Sequence, residues 1–299
     1  MIAERMLVIG LGLIGGSLAS AIRQSTCCRT VLGSSRSAET VSKAVARGVV
    51  DRADIELLPL VDELQAGDVV VIATPTLSVR IVLEQLRAAV QRGVIITDVA
   101  SVKGSVVEDA RAVFGEVPAT FIPGHPIAGS EKSGIDAMNP QLFLRHEVIL
   151  TPLPHSDRQA VDTVSALWRT AGANVSVMAV EEHDAVLSLT SHLPHMLAYT
   201  LVDTLAQRSQ NNEIFRYAAG GFRDFTRIAG SDPTMWHDIA IANRDALLQG
   251  LADFEQHLAD LRNAIRDRDG SHLFEVFSRA KQARDYFGEL YARRKPGSQ

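Results

Sequence analysis

Short apolar runs alternate with amphipathic segments along roughly the first 180 residues of the chain. The runs are rich in Val, Ile and Leu, and each has the length of a single β-strand. The segments between them, such as residues 76–91 and 103–114, carry apolar residues at helical spacing. This alternation predicts a parallel sheet with crossover helices. The predicted strands are residues 6–10, 30–33, 68–73, 94–98, 120–123 and 147–150, and a last strand at 174–178 is expected to close the sheet.

The pattern changes near residue 180, where strand-like runs stop and long amphipathic segments take over. These segments cover residues 181–207, 233–266 and 271–291, and a glycine pair at residues 220 and 221 separates the first two. Helical periodicity without strand signals predicts an all-α unit. We therefore expect a Rossmann-type α/β domain over residues 1–179, an all-α substrate and dimerisation domain over 180–292 and a frayed tail over 293–299.

Composition and charge narrow the classes of protein. With 299 residues and 46% hydrophobic content, the chain is long enough for two cores. A formal net charge of −5 gives no general attraction to nucleic acid or to anionic lipid. No apolar run approaches the ~20 residues of a membrane helix, and the N-terminus has no secretory pattern, so we expect a cytoplasmic protein. Cys27 and Cys28 are adjacent and lack metal-binding spacing, so we expect no metal.

A glycine motif directly follows the first predicted strand and opens the first predicted helix. Gly10 suits a tight turn, Gly12 lets the backbone approach a pyrophosphate, and Gly15 lets the helix pack closely on the strand. The helix N-terminus adds N–H donors and partial positive charge. In this context the motif predicts dinucleotide binding by Gly10, Gly12, Leu13, Ile14 and Gly15.

The end of the second predicted strand indicates which dinucleotide is bound. NAD-preferring folds place a carboxylate ~20 residues after the motif, where it accepts a hydrogen bond from the ribose 2′-hydroxyl. Here Ser34, Ser35 and Arg36 occupy that position, and hydroxyls with a guanidinium suit a 2′-phosphate. We therefore expect NADP to be preferred and NAD to be possible. The alternative is a polar loop in which Arg36 faces water and the protein does not distinguish the two cofactors.

Further polar residues follow two other predicted strands, at the carboxyl edge where open parallel sheets bind ligands. Thr74 and Pro75 follow the third strand, and Asp98, Ser101 and Lys103 follow the fourth. We expect all five residues to contact the cofactor. Ser101 also fits the N-cap position of the helix that follows it.

A histidine among small residues is the first candidate for chemistry. His125 begins the sequence His-Pro-Ile-Ala-Gly after the fifth predicted strand, where a ligand could approach closely. Taken alone, a His-Pro pair in a loop is more often structural. Three later segments change that balance: residues 191–195 (Ser-His-Leu-Pro-His), 219–227 (Ala-Gly-Gly-Phe-Arg-Asp-Phe-Thr-Arg) and 231–236 (Ser-Asp-Pro-Thr-Met-Trp).

Together these four segments resemble the prephenate and arogenate dehydrogenase family, and the resemblance runs over nearly the whole chain. It implies a helical domain like the C-terminal domain of 6-phosphogluconate dehydrogenase, and a homodimer paired through that domain. It also implies oxidative decarboxylation of prephenate to 4-hydroxyphenylpyruvate, of arogenate to tyrosine, or of both, with hydride transfer to NADP or NAD. The sequence leaves the choice between these two substrates open.

The resemblance further implies roles for single residues. His125 would accept the proton of the substrate hydroxyl, and Ser101 would bridge His125, the nicotinamide and the substrate. Arg227 would grip the ring carboxylate, because a guanidinium fork binds carboxylates in a geometry that lysine does not reproduce. The other substrate-binding residues would be His183, Ser191, His195, Gly220, Trp236 and Glu131, the last as a charged gate at the pocket mouth.

Structural alternatives remain for several of these residues. The histidines of the first long helical segment also fit a core role with bonds to the backbone, and Trp236 also fits plain hydrophobic core. Arg223 is interpreted as the surface ion-pair partner of Asp224. Pro194 removes a helical N–H donor and predicts a local break in the helix that carries the histidines.

Two other classes of function stay open. A Rossmann-plus-helical dehydrogenase of the 3-hydroxyacid type shares the domain plan, but it requires a catalytic lysine on the first long helix, and residues 181–207 contain none. A non-enzymatic NADP sensor would bind the cofactor without turnover. Because no amino-acid-binding module follows the helical segments up to residue 299, we expect tyrosine to act only by competing in the pocket.

Overall fold

The computed structural model describes residues 1–130, 132–208 and 211–294. The chain divides into two compact units after Arg244, so the predicted boundary near residue 180 lies inside the first unit. Within the described ranges, no helix is both long enough and apolar enough to cross a membrane.

A six-stranded parallel sheet forms the centre of the first unit. Its strands are β1 (Ala3–Ile9), β2 (Cys28–Ser34), β3 (Arg52–Asp54), β4 (Val69–Ile72), β5 (Ile95–Asp98) and β6 (Phe121–Ile122). Their order in space is β3-β2-β1-β4-β5-β6, the order of doubly wound dinucleotide-binding folds, so the predicted Rossmann-type fold is confirmed. Strand β3 was not predicted from the sequence, because this short edge strand exposes Arg52 and Asp54 and has no apolar run.

Side chains alternate along the strands and give the sheet two apolar faces. Met6 and Val8 of β1 belong to one face, and Leu7 and Ile9 belong to the other. The central strand β4 is buried along its whole length, which explains its unbroken apolar sequence. The helices of this α/β region are α1 (Leu13–Ser25), α2 (Ala38–Ala46), α3 (Leu57–Asp62), α4 (Val79–Gln85), α5 (Arg87–Gln91), α6 (Gly104–Phe114) and α7 (Arg158–Thr170).

The last strands form a separate three-stranded sheet, which corrects the predicted topology. It contains β7 (Gly124–Pro126), β8 (Glu147–Leu150) and β9 (Asn174–Val177), with β7 antiparallel and β9 parallel to β8. The prediction that residues 174–178 close the main sheet is therefore wrong. The chain leaves the main sheet at Pro123, which has no N–H donor for a continued ladder. This break carries the segment of His125 onto a strand of the second sheet.

Helices complete the first unit and pack against the carboxyl edge of the main sheet. A π-helical turn at residues 188–192 joins α8 to α9 just before Pro194, which confirms the predicted break. Val102, after β5, packs with Trp236 and Ile239 in a small apolar cluster. The helices are α8 (Val180–Leu187), α9 (Leu193–Ala206), α10 (Asn211–Arg216), α11 (Gly220–Thr226) and α12 (Pro233–Ala242).

Two long helices, α13 (Arg244–Asp267) and α14 (Gly270–Arg294), account for the described part of the second unit. The predicted frayed tail is wrong at its first two positions, since α14 continues to Arg294, and the rest of the prediction, residues 295–299, lies outside the described residues. Both helices leave large apolar side chains exposed, including Leu258, Ile265, Phe274, Phe277 and Phe287.

Candidate active site

The turn between β1 and α1 has the backbone that the glycine motif predicts. Gly10 has a φ of 102°, and a Cβ there would lie 2.4 Å from the Ala73 carbonyl oxygen. A Cβ on Gly15 would lie 2.0 Å from the Gly10 carbonyl oxygen. At Gly12, by contrast, a Cβ would meet nothing within 4 Å, and no side chain caps the helix. An open space before an uncapped helix N-terminus fits a dinucleotide pyrophosphate.

Leu13 and Ile14 open helix α1 and are half-buried at this turn. Thr74 lies against the same turn, because its backbone nitrogen would be 3.0 Å from a Cβ on Gly10. The Thr74 hydroxyl is buried and has no hydrogen-bond partner within the described residues, whereas Pro75 is exposed. A buried hydroxyl without a protein partner suits contact with a polar ligand.

The predicted 2′-phosphate residues lie at the carboxyl end of β2. Ser34 is buried, Ser35 is half-buried and Arg36 is exposed. The structure adds one acidic residue that the sequence analysis missed: Asp54, whose strand pairs it with Ser34. One oxygen of the Asp54 carboxylate accepts the Glu56 N–H at 3.0 Å. A carboxylate therefore lies next to the residues that the sequence predicts to bind the 2′-phosphate.

Asp98 and Lys103 form an ion pair in which neither side chain is exposed. The Lys103 Nζ also donates to the Gly124 carbonyl oxygen at 2.6 Å, and Asp98 accepts the Gly124 N–H at 3.2 Å. Burial lowers the pKa of Lys103, and the Asp98 carboxylate opposes that shift. Because these side chains offer no surface to a ligand, their predicted contact with the cofactor is corrected to a positioning role. They hold β7 against the end of β5.

The segment of Ser101 leads into helix α6, but Ser101 does not cap it. The carboxylate of Asp184, on α8, accepts the N–H groups of Lys103 and Gly104 at 2.8 and 2.7 Å. The N-cap alternative for Ser101 is therefore wrong. Ser101 is half-buried, and its hydroxyl makes no hydrogen bond within the described ranges.

His125 lies on β7 and is 8% exposed. Its Nδ1 is 2.9 Å from the Nε2 of His183, whose Nδ1 is in turn 2.7 Å from a carboxylate oxygen of Asp184. Burial lowers the pKa of His125 well below its ordinary value, and nearby His183 and Lys103 lower it further. His125 is therefore neutral near neutral pH and able to accept a proton.

His183 does not have its predicted place in the substrate pocket. Its side chain is fully buried, and both ring nitrogens are occupied by His125 and Asp184. The prediction that His183 faces the substrate is therefore corrected, and the residue lies behind His125. Asp184 was not among the residues predicted from the sequence. Neighbouring positions on a helix ordinarily point apart, so the His-Asp pair gave no pattern to detect.

His192 is a core residue, as the structural alternative proposed. Its Nδ1 accepts a hydrogen bond from the Asn243 side-chain amide at 3.0 Å, and the same amide donates to the Asp184 carbonyl oxygen at 3.0 Å. Burial lowers the pKa of His192 to about 4. In the part of the chain that the structure describes, no group of three or more His, Cys, Asp or Glu residues could hold a metal ion.

A second cluster contains three residues predicted to bind the substrate, namely Ser191, His195 and Trp236. The His195 ring stacks on Trp236 with centroids 3.5 Å apart, and its Nδ1 donates to the Ser191 carbonyl oxygen at 2.8 Å. Burial lowers the pKa of His195, and the positive charge of Arg227 lowers it further. Trp236 is buried, yet its Nε1 has no hydrogen-bond partner among the described residues. The geometry therefore brings together an imidazole and an indole.

The segment that carries Arg227 is anchored to α9. Arg227 begins a 3₁₀ turn that packs on α9, and the Tyr199 hydroxyl donates to the Ser231 carbonyl oxygen at 2.7 Å. Arg223 pairs with Asp224 at 3.2 Å on the surface, which confirms its interpretation as a surface ion pair. Gly220, predicted to line the pocket, begins α11 and is exposed. The predicted gate residue Glu131 lies outside the described residues.

Comparison with known proteins covers almost the whole chain. The prephenate dehydrogenase nucleotide-binding domain matches residues 18–177, and the prephenate dehydrogenase dimerization domain matches residues 179–279. A cyclohexadienyl dehydrogenase of Zymomonas mobilis is 37% identical over 94% of this chain and 95% of its own length. A prephenate dehydrogenase of Bacillus subtilis is 38% identical over 94% of this chain and 76% of its own length.

The fold agrees with a solved structure of the same kind. The crystal structure of prephenate dehydrogenase from Aquifex aeolicus, in complex with hydroxyphenyl propionate and NAD+, has a TM-score of 0.88 and 34% identity. The match covers 95% of this chain and 98% of that one. By sequence and fold, the chain belongs to the prephenate dehydrogenase family, the NAD(P)-dependent enzymes that carry out oxidative decarboxylation in tyrosine biosynthesis.

Proposed function

We propose that this enzyme acts on prephenate, arogenate or both in a pocket at the carboxyl edge of the main sheet. The observation that carries the proposal is His125, a buried imidazole beside the dinucleotide-binding edge whose Nε2 has no hydrogen-bond partner within the described residues. The proposal is tested by initial rates of reduced-cofactor formation with prephenate and with arogenate. It would be contradicted if the enzyme turned over neither substrate. The 3-hydroxyacid and sensor alternatives are not favoured, and α8 and α9 contain no lysine.

The residues of this chain mainly transfer a proton and orient the substrate against the cofactor. Oxidised nicotinamide, when bound, supplies the hydride acceptor for the ring carbon that carries the hydroxyl group. His125 accepts the hydroxyl proton as that C–O bond becomes a carbonyl. The bond to the ring carboxylate breaks with loss of carbon dioxide, and its electron pair passes through the ring to the oxygen. His125 then returns its proton to that oxygen, which completes the aromatic phenol.

We assign the ring carboxylate to Arg227 and the rest of the pocket to His195, Ser191, Gly220 and Trp236, with Ser101 beside His125. The stacking of His195 on Trp236 and the packing of the Arg227 turn on α9, the helix that carries His195, support this arrangement. A clamp that holds the carboxylate tightly stabilises the bound substrate as well as the transition state. Arg227 therefore serves binding more than bond cleavage. The assignment of Glu131 as a gate stays a prediction.

NADP is the cofactor that we propose as preferred, with NAD accepted more weakly. Two hydroxyls and the exposed Arg36 at the end of β2 support a site for the 2′-phosphate. The turn residues Gly10, Gly12 and Gly15 would hold the pyrophosphate of either cofactor.

Substitution of Arg36 by alanine tests this preference. Loss of a charge-assisted contact should raise the KM for NADP roughly tenfold or more and hardly change that for NAD. Arg29→Ala is the matched control, because Arg29 lies on β2, the strand that precedes Arg36, and pairs with Glu4 at 3.0 Å on the surface. Equal effects of Arg36→Ala on both cofactors would refute the preference.

A homodimer is the proposed assembly. Its support is the match to a dimerization domain and the exposed apolar side chains of α13 and α14, which are typical of a surface that another chain covers. Tyrosine, which resembles the product, is expected to compete in the substrate pocket. The cytoplasmic location and the functional division near residue 180 also stay predictions.

A further inference from the structure

Two side chains, those of Asp184 and His183, connect the proposed proton acceptor His125 to the N-terminus of helix α6. Asp184 accepts the backbone N–H groups of Lys103 and Gly104 at the start of α6 and the Nδ1–H of His183, and His183 contacts His125. The carboxylate has hydrogen-bond donors on both oxygens. Although its burial raises the pKa, the bonds from His183 and the backbone outweigh burial and lower the pKa of Asp184 below its ordinary value. Asp184 is therefore ionised.

An ionised carboxylate determines where the protons lie along this chain. Because Asp184 can only accept, the Nδ1 of His183 must carry the proton that it donates. In neutral His183 the Nε2 is then a bare acceptor, so the Nδ1 of His125, 2.9 Å away, must be the donor. The protonated nitrogen of His125 is thus Nδ1. Its Nε2 carries the free lone pair that a proton acceptor needs.

The surroundings favour this neutral arrangement. His183 has no exposed surface, and the Lys103 ammonium lies close enough to His125 to lower the pKa of that imidazole. If His183 carried a second proton, its positive charge would be buried near the Lys103 ammonium. Its Nε2 would then donate to the Nδ1 of His125 instead of accepting from it. His192, the other nearby imidazole, is bonded to Asn243 rather than to this chain of residues.

We infer that Asp184 and His183 are positioning residues that fix His125 in the Nδ1–H tautomer and so leave its Nε2 to accept the substrate proton. The inference rests on the proposed role of His125 as proton acceptor. It has the logic of a catalytic triad, in which a carboxylate orients an imidazole and stabilises the charge that the imidazole acquires. Here a second imidazole stands between the carboxylate and the proton acceptor. The same carboxylate caps α6, so it also links His125 to the Ser101 segment.

The test compares two substitutions of His183. Leucine fills the space but cannot accept the Nδ1–H of His125, whereas the amide oxygen of glutamine can. We expect His183→Leu to lower kcat by ~10²-fold with little change in the KM of substrate or cofactor, and His183→Gln to recover to within about tenfold of the parent. His155→Gln is the matched control, since within the described residues His155 bonds only the Val117 carbonyl oxygen, at 2.8 Å. A kcat for His183→Leu within about threefold of the parent would overturn the inference.

A second readout needs no substrate and separates this inference from the proposed function. Nitrogen-15 NMR of histidine-labelled protein distinguishes the two tautomers, and His125→Asn identifies the His125 signals. The parent should show His125 protonated on Nδ1, and both His183→Leu and Asp184→Asn should give a mixture. A parent protonated on Nε2 would overturn the inference, even if the enzyme turns over. If the protein showed the expected tautomers but turned over neither substrate, the positioning role of Asp184 and His183 would be supported and only the proposed function would be contradicted.

Discussion

Replacement of His125 by asparagine is expected to lower turnover by ~10²–10⁴, the usual contribution of a general base. Asparagine keeps a polar group near the position of Nδ1 and its contact with His183, but it offers no basic nitrogen at the position of Nε2. The fold and the KM for substrate should therefore change little. Steady-state kinetics with both substrates measure the effect. Turnover within about threefold of the parent would remove His125 from its role.

The pH profile gives an independent test of the same residue. Burial depresses the pKa of His125 well below 6.5, so the imidazole is neutral above that pKa and becomes charged as the pH falls through it. A charged imidazole cannot accept the hydroxyl proton. The parent kcat/KM should therefore stay level down to a pH below 6.5 and then decline. In His125→Asn that acidic decline should disappear, and its persistence would assign the titration to another group.

Substitution of Arg227 by alanine should weaken both substrates alike. The partner that we propose is the ring carboxylate, which prephenate and arogenate share. Loss of its bidentate partner should lower affinity ~30-fold or more for each, and cofactor binding should not change. Arg227→Lys should recover only part of the affinity, because an ammonium keeps the charge and loses the fork.

Arg223 provides the control for the Arg227 variants. It lies in the same segment, its side chain is 81% exposed, and its pairing with Asp224 assigns it to the surface. Arg223→Ala should therefore leave the kinetics unchanged. If Arg227→Ala lost only one of the two substrates, Arg227 would contact the end of the substrate that distinguishes them, and the proposed orientation would be wrong. Unchanged kinetics with a lowered melting temperature would make Arg227 a structural residue.

The sequence predicted those parts of the fold that depend on local periodicity. The alternation of strands and helices, the glycine turn after β1 and the helical break before Pro194 all follow from spacing within a short window. The second sheet could not be predicted in this way, because the partner of β7 is β8, more than twenty residues later. The antiparallel direction of that pairing depends on how distant parts of the chain pack together, which no short window of sequence specifies. The polar edge strand β3 gave no apolar signal at all.

The candidate site shows the same limit. Sequence motifs indicated His125, His195, Trp236 and Arg227, and the structure stacks His195 on Trp236 and packs the turn of Arg227 on the helix of His195. They did not indicate that Asp184 would cap a helix eighty positions earlier in the chain. That contact joins distant elements, and no local pattern encodes it. For the same reason Lys103 looked like a cofactor ligand, although its ammonium is enclosed by Asp98 and Gly124.

The most direct test of the account measures carbon dioxide and reduced cofactor in the same reaction mixture. With prephenate or arogenate and NADP at neutral pH, and with an enzyme-free blank, the account predicts one carbon dioxide for each NADPH from the first turnover onward. In His125→Asn both should fall together. Formation of NADPH without carbon dioxide would show a simple alcohol oxidation, and it would contradict the assignment of oxidative decarboxylation to this site.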